Sequence, residues 1–244
     1  MKIFKRALWG LLIVVVVFVL GFVVWAENPL GPASEALSAL ESDSKVSVTV
    51  DKYITFKPVD MEPTTGFIFY PGGRVDYRSY AAPLRAIAEQ GYLVVLVPVR
   101  LNLAFFDINA GDPVFSMYPE IQYWVTGGHS LGGVASALFA KNHLDEIEGL
   151  VFWASYPADE SLNNSDLKML SIYGTNDMAG MEIFDEKKPL LTADAEYVVI
   201  DGGNHAQFGN YGPQPGDNAA TITSGEQQAQ IVKATSEFLQ EISK

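Results

Sequence analysis

A serine bracketed by glycines, Gly127-Gly128-His129-Ser130-Leu131-Gly132-Gly133, constrains this chain more than any other stretch. It lies between a short apolar run, Ile121 to Val125, and a helix-like run, Val134 to Lys141. A strand that reverses sharply into a helix holds the intervening serine in a strained turn, with its hydroxyl above the end of the sheet. Glycine is needed on both sides because a Cβ there would strike the neighbouring strand or helix. The helix that follows adds free N–H groups and the positive end of its dipole, which favour negative charge developing beside the serine. The bare Gly-x-Ser-x-Gly spacing carries little weight by itself; the strand before it and the helix after it make it a nucleophile elbow.

The remaining apolar runs say what surrounds that elbow. Tyr92 to Val97 is almost unbroken aliphatic sequence, as in an interior parallel strand covered on both faces. Similar runs occur at Gly66 to Tyr70, Leu150 to Trp153, Leu167 to Tyr173 and Tyr197 to Ile200. Tyr80 to Gln90 has helical spacing and is stopped by Gly91, and Gly225 to Ile242 places Ile231, Ala234, Phe238 and Ile242 on one helix face. Alternation from Val46 to Phe56 predicts an antiparallel edge hairpin. Strands alternating with helices predict an α/β domain: a doubly wound, mostly parallel sheet with helices on both faces. At 244 residues the chain holds one such catalytic unit, placed at residues 46–244.

Ala7 to Ala26 is an uncharged apolar run of 20 residues, about 30 Å as a helix and so matched to the bilayer core. Lys2, Lys5 and Arg6 precede it, which puts them on the cytoplasmic side and the catalytic domain outside. Residues 1–26 are thus a single-pass anchor in the cell membrane, with the bilayer as partner, or a signal peptide cut after Val24-Trp25-Ala26 to give a secreted protein. The length favours the uncleaved anchor. Residues 27–45, with Pro29, Gly31, Pro32 and several serines, are expected to form a linker with one short helix that lets the body stand off the membrane.

The formal net charge is −13, and removing the +3 of Lys2, Lys5 and Arg6 leaves −16 on the rest. Nucleic acid and anionic headgroups are poor partners for so acidic a body. The chain has no cysteine, which removes disulfides, thiolate catalysis and cysteine-ligated metals. Its three histidines are widely spaced, so no metal and no cofactor is expected.

A serine hydroxyl needs a base within hydrogen-bond reach, itself oriented by a carboxylate. His129 lies inside the elbow and should point away from Ser130, and His143 sits near the end of the following helix. His205 follows the run ending at Ile200 in the glycine loop Asp201-Gly202-Gly203-Asn204-His205, at the sheet edge where open parallel sheets place their ligands. Asp177 reaches the same edge after Tyr173 through Gly174-Thr175-Asn176, whereas Asp159, Asp166 and Asp185 fall on connecting segments. The order Ser130, Asp177, His205 is that of the α/β-hydrolase fold. For an oxyanion, Leu131 N–H offers one donor, and the loop Pro71-Gly72-Gly73-Arg74 offers a second, with Gly73 preferred and Arg74 as the fallback.

Tyr70-Pro71-Gly72-Gly73, Gly128-His129-Ser130-Leu131-Gly132-Gly133, Tyr173-Gly174-Thr175-Asn176-Asp177 and Gly203-Asn204-His205 together make residues 46–244 resemble the α/β-hydrolase superfamily, and most of all small bacterial members akin to dienelactone hydrolases. The resemblance implies that Ser130 is the nucleophile, Asp177 the acid and His205 the base. Dienelactone hydrolases use a cysteine nucleophile, so the serine here shifts the expected substrate toward small-molecule acyl esters. Only about a dozen residues separate Trp153 from Leu167, where lids are usually inserted, so an uncapped site is expected. Tyr156, Gln207, Phe208 and Tyr211 are placed on its rim, and Phe105 and Phe106, within Asn102 to Asp112, on an apolar wall. The expected activity is that of a membrane-tethered serine hydrolase of carboxylesterase type. An acyltransferase using the same three residues and a non-catalytic surface binding protein are the alternatives.

Overall fold

The computed structural model describes residues 2–244. Helix α1 (Lys2–Ala26) takes up the apolar run, with a mean hydropathy of 3.0; most of it from Phe4 onward is exposed, and Ala26 at its end is buried. A short helix α2 (Ser34–Ser38) follows, then the expected hairpin of β1 (Val46–Val50) and β2 (Ile54–Pro58), in which Val46 faces Pro58 and Val50 faces Ile54. The chain continues through β3 (Thr65–Tyr70), α3 (Ala81–Ala88), β4 (Leu93–Leu96), α4 (Asp112–Met117), β5 (Tyr123–His129) and α5 (Leu131–Asn142). It ends with β6 (Ile147–Trp153), β7 (Lys168–Gly174), α6 (Met181–Lys187), β8 (Glu196–Ile200) and α7 (Ser224–Ile242).

The eight strands form one sheet in the order β1-β2-β4-β3-β5-β6-β7-β8. Only the β1–β2 and β2–β4 pairs are antiparallel. Period-two alternation divides the interior into two layers. Phe67 and Phe69 of β3 point to the layer holding Leu84 and Ile87 of α3 and Ile231 and Phe238 of α7, while Ile68 and Tyr70 point to the layer of Val114 of α4 and Phe139 of α5. Both faces are therefore covered, as the unbroken aliphatic runs require. α7 is stopped from fraying at its start by a capping box, in which Thr223 accepts from Glu226 N–H and Glu226 accepts from Thr223 N–H.

Two segments depart from expectation. The crossover from β4 to β5 consists of three single 3₁₀ turns and the six-residue α4, because Leu101 and Asn102 adopt left-handed backbone (φ 57° and 51°) and break any longer helix. Residues 27–45, expected to be a linker that lets the body stand off the membrane, are packed onto the body instead. Leu30 forms a parallel bridge with Val75, Ala36 is fully buried, and Arg85 of α3 binds the carbonyls of Ala39 (3.2 Å) and Glu41 (2.6 Å). Small apolar side chains and unpaired carbonyls give that stretch a surface to cover, and α3 supplies it.

Candidate active site

β5 ends at His129, and Ser130 turns the chain into α5 with φ 52° and ψ −121°. Such a conformation costs a non-glycine residue about 1–3 kcal/mol and persists only where its surroundings hold it. Ser130 N–H donates to Trp153 O (2.9 Å), and its own carbonyl accepts from Gly133 N–H (3.0 Å) and from Ser155 Oγ (2.6 Å). A Cβ on Gly132 would overlap the carbonyls of Tyr70 and Pro71, so glycine alone lets α5 start this close to β3. Five non-glycine residues have positive φ among the described residues, namely Arg74, Leu101, Asn102, Ser130 and Ala154. They follow the C-terminal ends of β3, β4, β5 and β6, so the strained backbone gathers on the rim that carries Ser130.

On the same rim Asp177, 1% exposed, accepts from His205 Nδ1 at 2.8 Å and from Ala179 N–H at 2.9 Å. With Nδ1 donating to the carboxylate, Nε2 of His205 carries the free lone pair. The histidine loop is fastened at several points. Asp217 accepts from Ala206 N–H (2.8 Å), and Gln227 of α7, fully buried, accepts from Asn204 N–H (3.0 Å) and donates to Asn204 O (2.8 Å). Ser130 Oγ is not hydrogen-bonded to His205, so the two must close on one another before a proton can pass; contacts of this kind often tighten only with substrate in place.

Leu131 is the first residue of α5, and its N–H has no intrahelical acceptor. A side chain at Gly73 would lie 3.0 Å from Leu131 Cδ2 and 3.6 Å from Leu103 Cδ2, which brings the loop after β3 against the start of α5. Arg74, the fallback donor, drops out because its N–H is engaged by Asn102 O at 2.7 Å. Gly72 N–H is engaged as well, donating to Tyr80 Oη at 3.0 Å. The same oxygen is hydrogen-bonded to His129 Nδ1, 2.8 Å away, in the direction that the histidine tautomer sets. His129 is fully buried, its ring centroid 4.5 Å from that of His205 and its ring stacked on Phe208 at 5.4 Å. Burial, and secondarily the neighbouring His205, hold its pKa well below the ordinary histidine value. A neutral His129 adds no charge beside the imidazolium that would form on His205.

This sheet order, with a strained serine at its centre and an acid–histidine pair downstream, matches a known family. The model of the alpha/beta hydrolase family aligns with residues 66–229. The chain belongs to that family. No curated protein matches the sequence at a significant level. Among solved structures, this alpha/beta hydrolase is similar to a dienelactone hydrolase from Anabaena variabilis, with TM-score 0.61 and 15% identity over 83% of this chain and 98% of that one. It is similar to the esterase domain of a Rhodothermus marinus protein, with TM-score 0.58 and 14% identity over 81% and 98%. A dienelactone hydrolase-like promiscuous phosphotriesterase from metagenomic libraries gives TM-score 0.57 and 14% identity over 78% and 92%. At such identities these likenesses speak for the fold.

The expected rim residues divide. Tyr156 is half-buried against Phe184 (6.1 Å) and Lys187 (5.6 Å). Phe208 is not on the rim: it is fully buried behind His129, where an apolar ring fills the space under the histidine loop. Tyr211, 6% exposed, is likewise interior, with burial raising its hydroxyl pKa. Gln207 lines a separate groove of about 890 Å³ with Asn210, Gln214, Asn218 and Gln228, a groove that includes none of Ser130, Asp177 and His205. Phe105 and Phe106 are 47% and 49% exposed, with Phe106 beside Phe22 of α1; the apolar side chains beside Gly73 are those of Leu131 and Leu103. His143 stays remote, 3.0 Å from Asp112.

Residues that sequence reasoning missed all act through others. Ser155 clamps the elbow carbonyl, Tyr80 ties Gly72 to His129, and Gln227 pins Asn204. Of these only Gln227 left a signal, since it stands four residues before Ile231, in register with the apolar stripe of α7 where a polar residue needs a buried partner.

Proposed function

We propose that this alpha/beta hydrolase is a membrane-anchored serine esterase that cleaves carboxylic esters or related acyl compounds through an acyl-enzyme on Ser130. The observation that carries the reading is the meeting, on one rim, of a serine in left-handed backbone (φ 52°) and a buried Asp177–His205 pair at 2.8 Å. Ser130 Oγ attacks the ester carbonyl carbon as its proton passes to His205 Nε2, and the carbonyl electron pair moves onto oxygen. Gly73 and Leu131 N–H receive that oxyanion, each such donor being worth about 10²–10³ in rate. Asp177 holds the imidazolium through Nδ1–H. Collapse of the adduct breaks the bond to the leaving alcohol, which takes the proton from His205. Water, deprotonated by the same ring, then attacks the acyl carbon, and the bond to Ser130 Oγ breaks as that oxygen takes the proton back from His205, freeing the carboxylic acid.

Retention of α1 is supported by its length: the uncharged run Ala7 to Ala26 has 20 residues, longer than the roughly 7–15 of a signal-peptide core. The esterase reading is tested with a fluorophosphonate probe and a soluble nitrophenyl ester. Wild type should label, and Ser130→Ala should not, with turnover reduced at least about a thousandfold and the circular dichroism unchanged. Wild type left unlabelled where a known esterase labels, or equal turnover by the two proteins, overturns the reading.

A further inference from the structure

The end of α1 is fastened to the two loops that flank the proposed oxyanion site. Arg74, next in chain to Gly73, donates from Nε to Trp25 O (3.0 Å) and from Nη2 to Asn28 O (2.8 Å), and its guanidinium lies 4.3 Å from the centroid of the Trp25 ring. Asn102 binds Ala26 O, and Arg74 N–H binds Asn102 O, so both loops and the helix end form one hydrogen-bonded unit. Leu30 N–H donates to Arg74 O (2.8 Å) and Leu30 O accepts from Asp76 N–H (2.9 Å), which fixes the chain just after the helix as well. An anchor attached this way sets an orientation, unlike a flexible tether.

That orientation exposes a specific face. Phe106 packs edge-on against Phe22 at 6.1 Å. Phe22 stands four residues before Ala26, about 6 Å farther along the helix toward the membrane. Trp25, 49% exposed, suits the interfacial belt where tryptophan gathers, so Phe106 at the level of Phe22 lies at or below that belt. Phe105 and Phe106, exposed by about half, have no protein cover that accounts for two large apolar rings side by side. Leu103, on the same loop, reaches the position beside Gly73. Leu103, half-buried, thus stands between Gly73 and Phe106, whose N–H donates to Leu103 O at 3.0 Å.

We infer that α1, Phe105 and Phe106 seat the rim of the site in the outer leaflet, and that the substrate is an acyl ester already dissolved in that leaflet, of neutral or zwitterionic lipid character. The inference rests on the esterase and anchor readings above. The body's charge of −16, which is the chain's −13 without the three N-terminal basic residues, disfavours anionic lipid.

The chain has no cysteine, so single labels are free of background. Full-length Phe106→Cys and, as control, Lys168→Cys at the opposite, N-terminal end of β7 are labelled with an environment-sensitive fluorophore and reconstituted in phosphatidylcholine vesicles. The label at 106 should shift to the blue and be quenched at least threefold more by a lipid-borne spin label than the label at 168; equal, water-like emission at both positions overturns the docking. That readout needs no turnover, so it stands apart from the esterase reading. In a second arm, Phe105→Ser with Phe106→Ser should lower the ratio of turnover on a long-chain ester in the vesicles to turnover on a soluble short ester by at least tenfold. An unchanged ratio overturns the substrate claim. Burial of the label in a protein that hydrolyses neither ester supports the docking and overturns the substrate claim together with the esterase reading beneath it.

Discussion

The serine and the histidine stand on the same rim of the sheet but are held there by different means. Ser130 is fixed by its own backbone, in a seven-residue stretch where glycines let α5 meet β3 and the neighbouring strand supplies Trp153 O and Ser155 Oγ. His205 sits in a loop with little regular structure, and side chains hold it from far along the chain: Asp177, Asp217 and Gln227. A strained turn locks its serine locally, whereas a loop must borrow rigidity from partners that the fold brings to it.

Substitutions that spare the elbow and loosen only the histidine side should break this contrast if it is wrong. Asp177→Asn removes the acceptor that fixes the His205 tautomer, and kcat on a soluble ester is expected to fall by about 10³–10⁴ while the fold is kept. A loss below tenfold would mean that Asp177 does not orient the base. Gln227→Ala frees Asn204 at both its N–H and its carbonyl without touching the elbow. Displacement of His205 by about an ångström should lower kcat about a hundredfold, with KM little changed and Ser130 backbone amide exchange as slow as in wild type. Faster exchange at Ser130 would show that the two sides are one unit.

The smallest effect concerns His129, which links the sides. Burial lowers its pKa in the folded protein, so the denatured chain binds the proton first as pH falls. Its contribution to stability is complete above the unfolded value of about 6.5 and is lost progressively below it. Tm is expected to drop by about 2–4 °C for each kcal/mol so lost between pH 7.5 and pH 5, and His129→Asn should flatten that slope. An identical slope in the variant would place the acid sensitivity elsewhere.

Much of this was legible because it is local. The elbow, the parallel strands and the glycine stop after α3 are each written within a few residues, where steric limits and periodicity act directly. The rim residues were not, because a loop position does not say which way a ring turns: Phe208 and Tyr211 follow His205 as a substrate contact might, yet both turn inward to fill the layer beneath it. The stretch 27–45 read as a spacer by composition, and only α3 beside it makes Ala36 worth burying and supplies Arg85 to the carbonyls of Ala39 and Glu41.

By itself the sequence determined a parallel α/β sheet, a strained serine turn, an apolar N-terminal helix and the order in which serine, acid and histidine occur, since each depends on backbone geometry or on the spacing of apolar residues along one segment. Only the tertiary structure decided that Gln227 and Asp217 hold the histidine loop, that a neutral His129 lies beside His205, and that Arg74 grips the end of α1 next to Gly73. These are contacts between residues from 11 positions apart (Ala206 and Asp217) to 76 (His129 and His205), and no local pattern encodes them; they exist because the sheet brings distant loops onto one rim and burial there leaves each polar group in need of a partner.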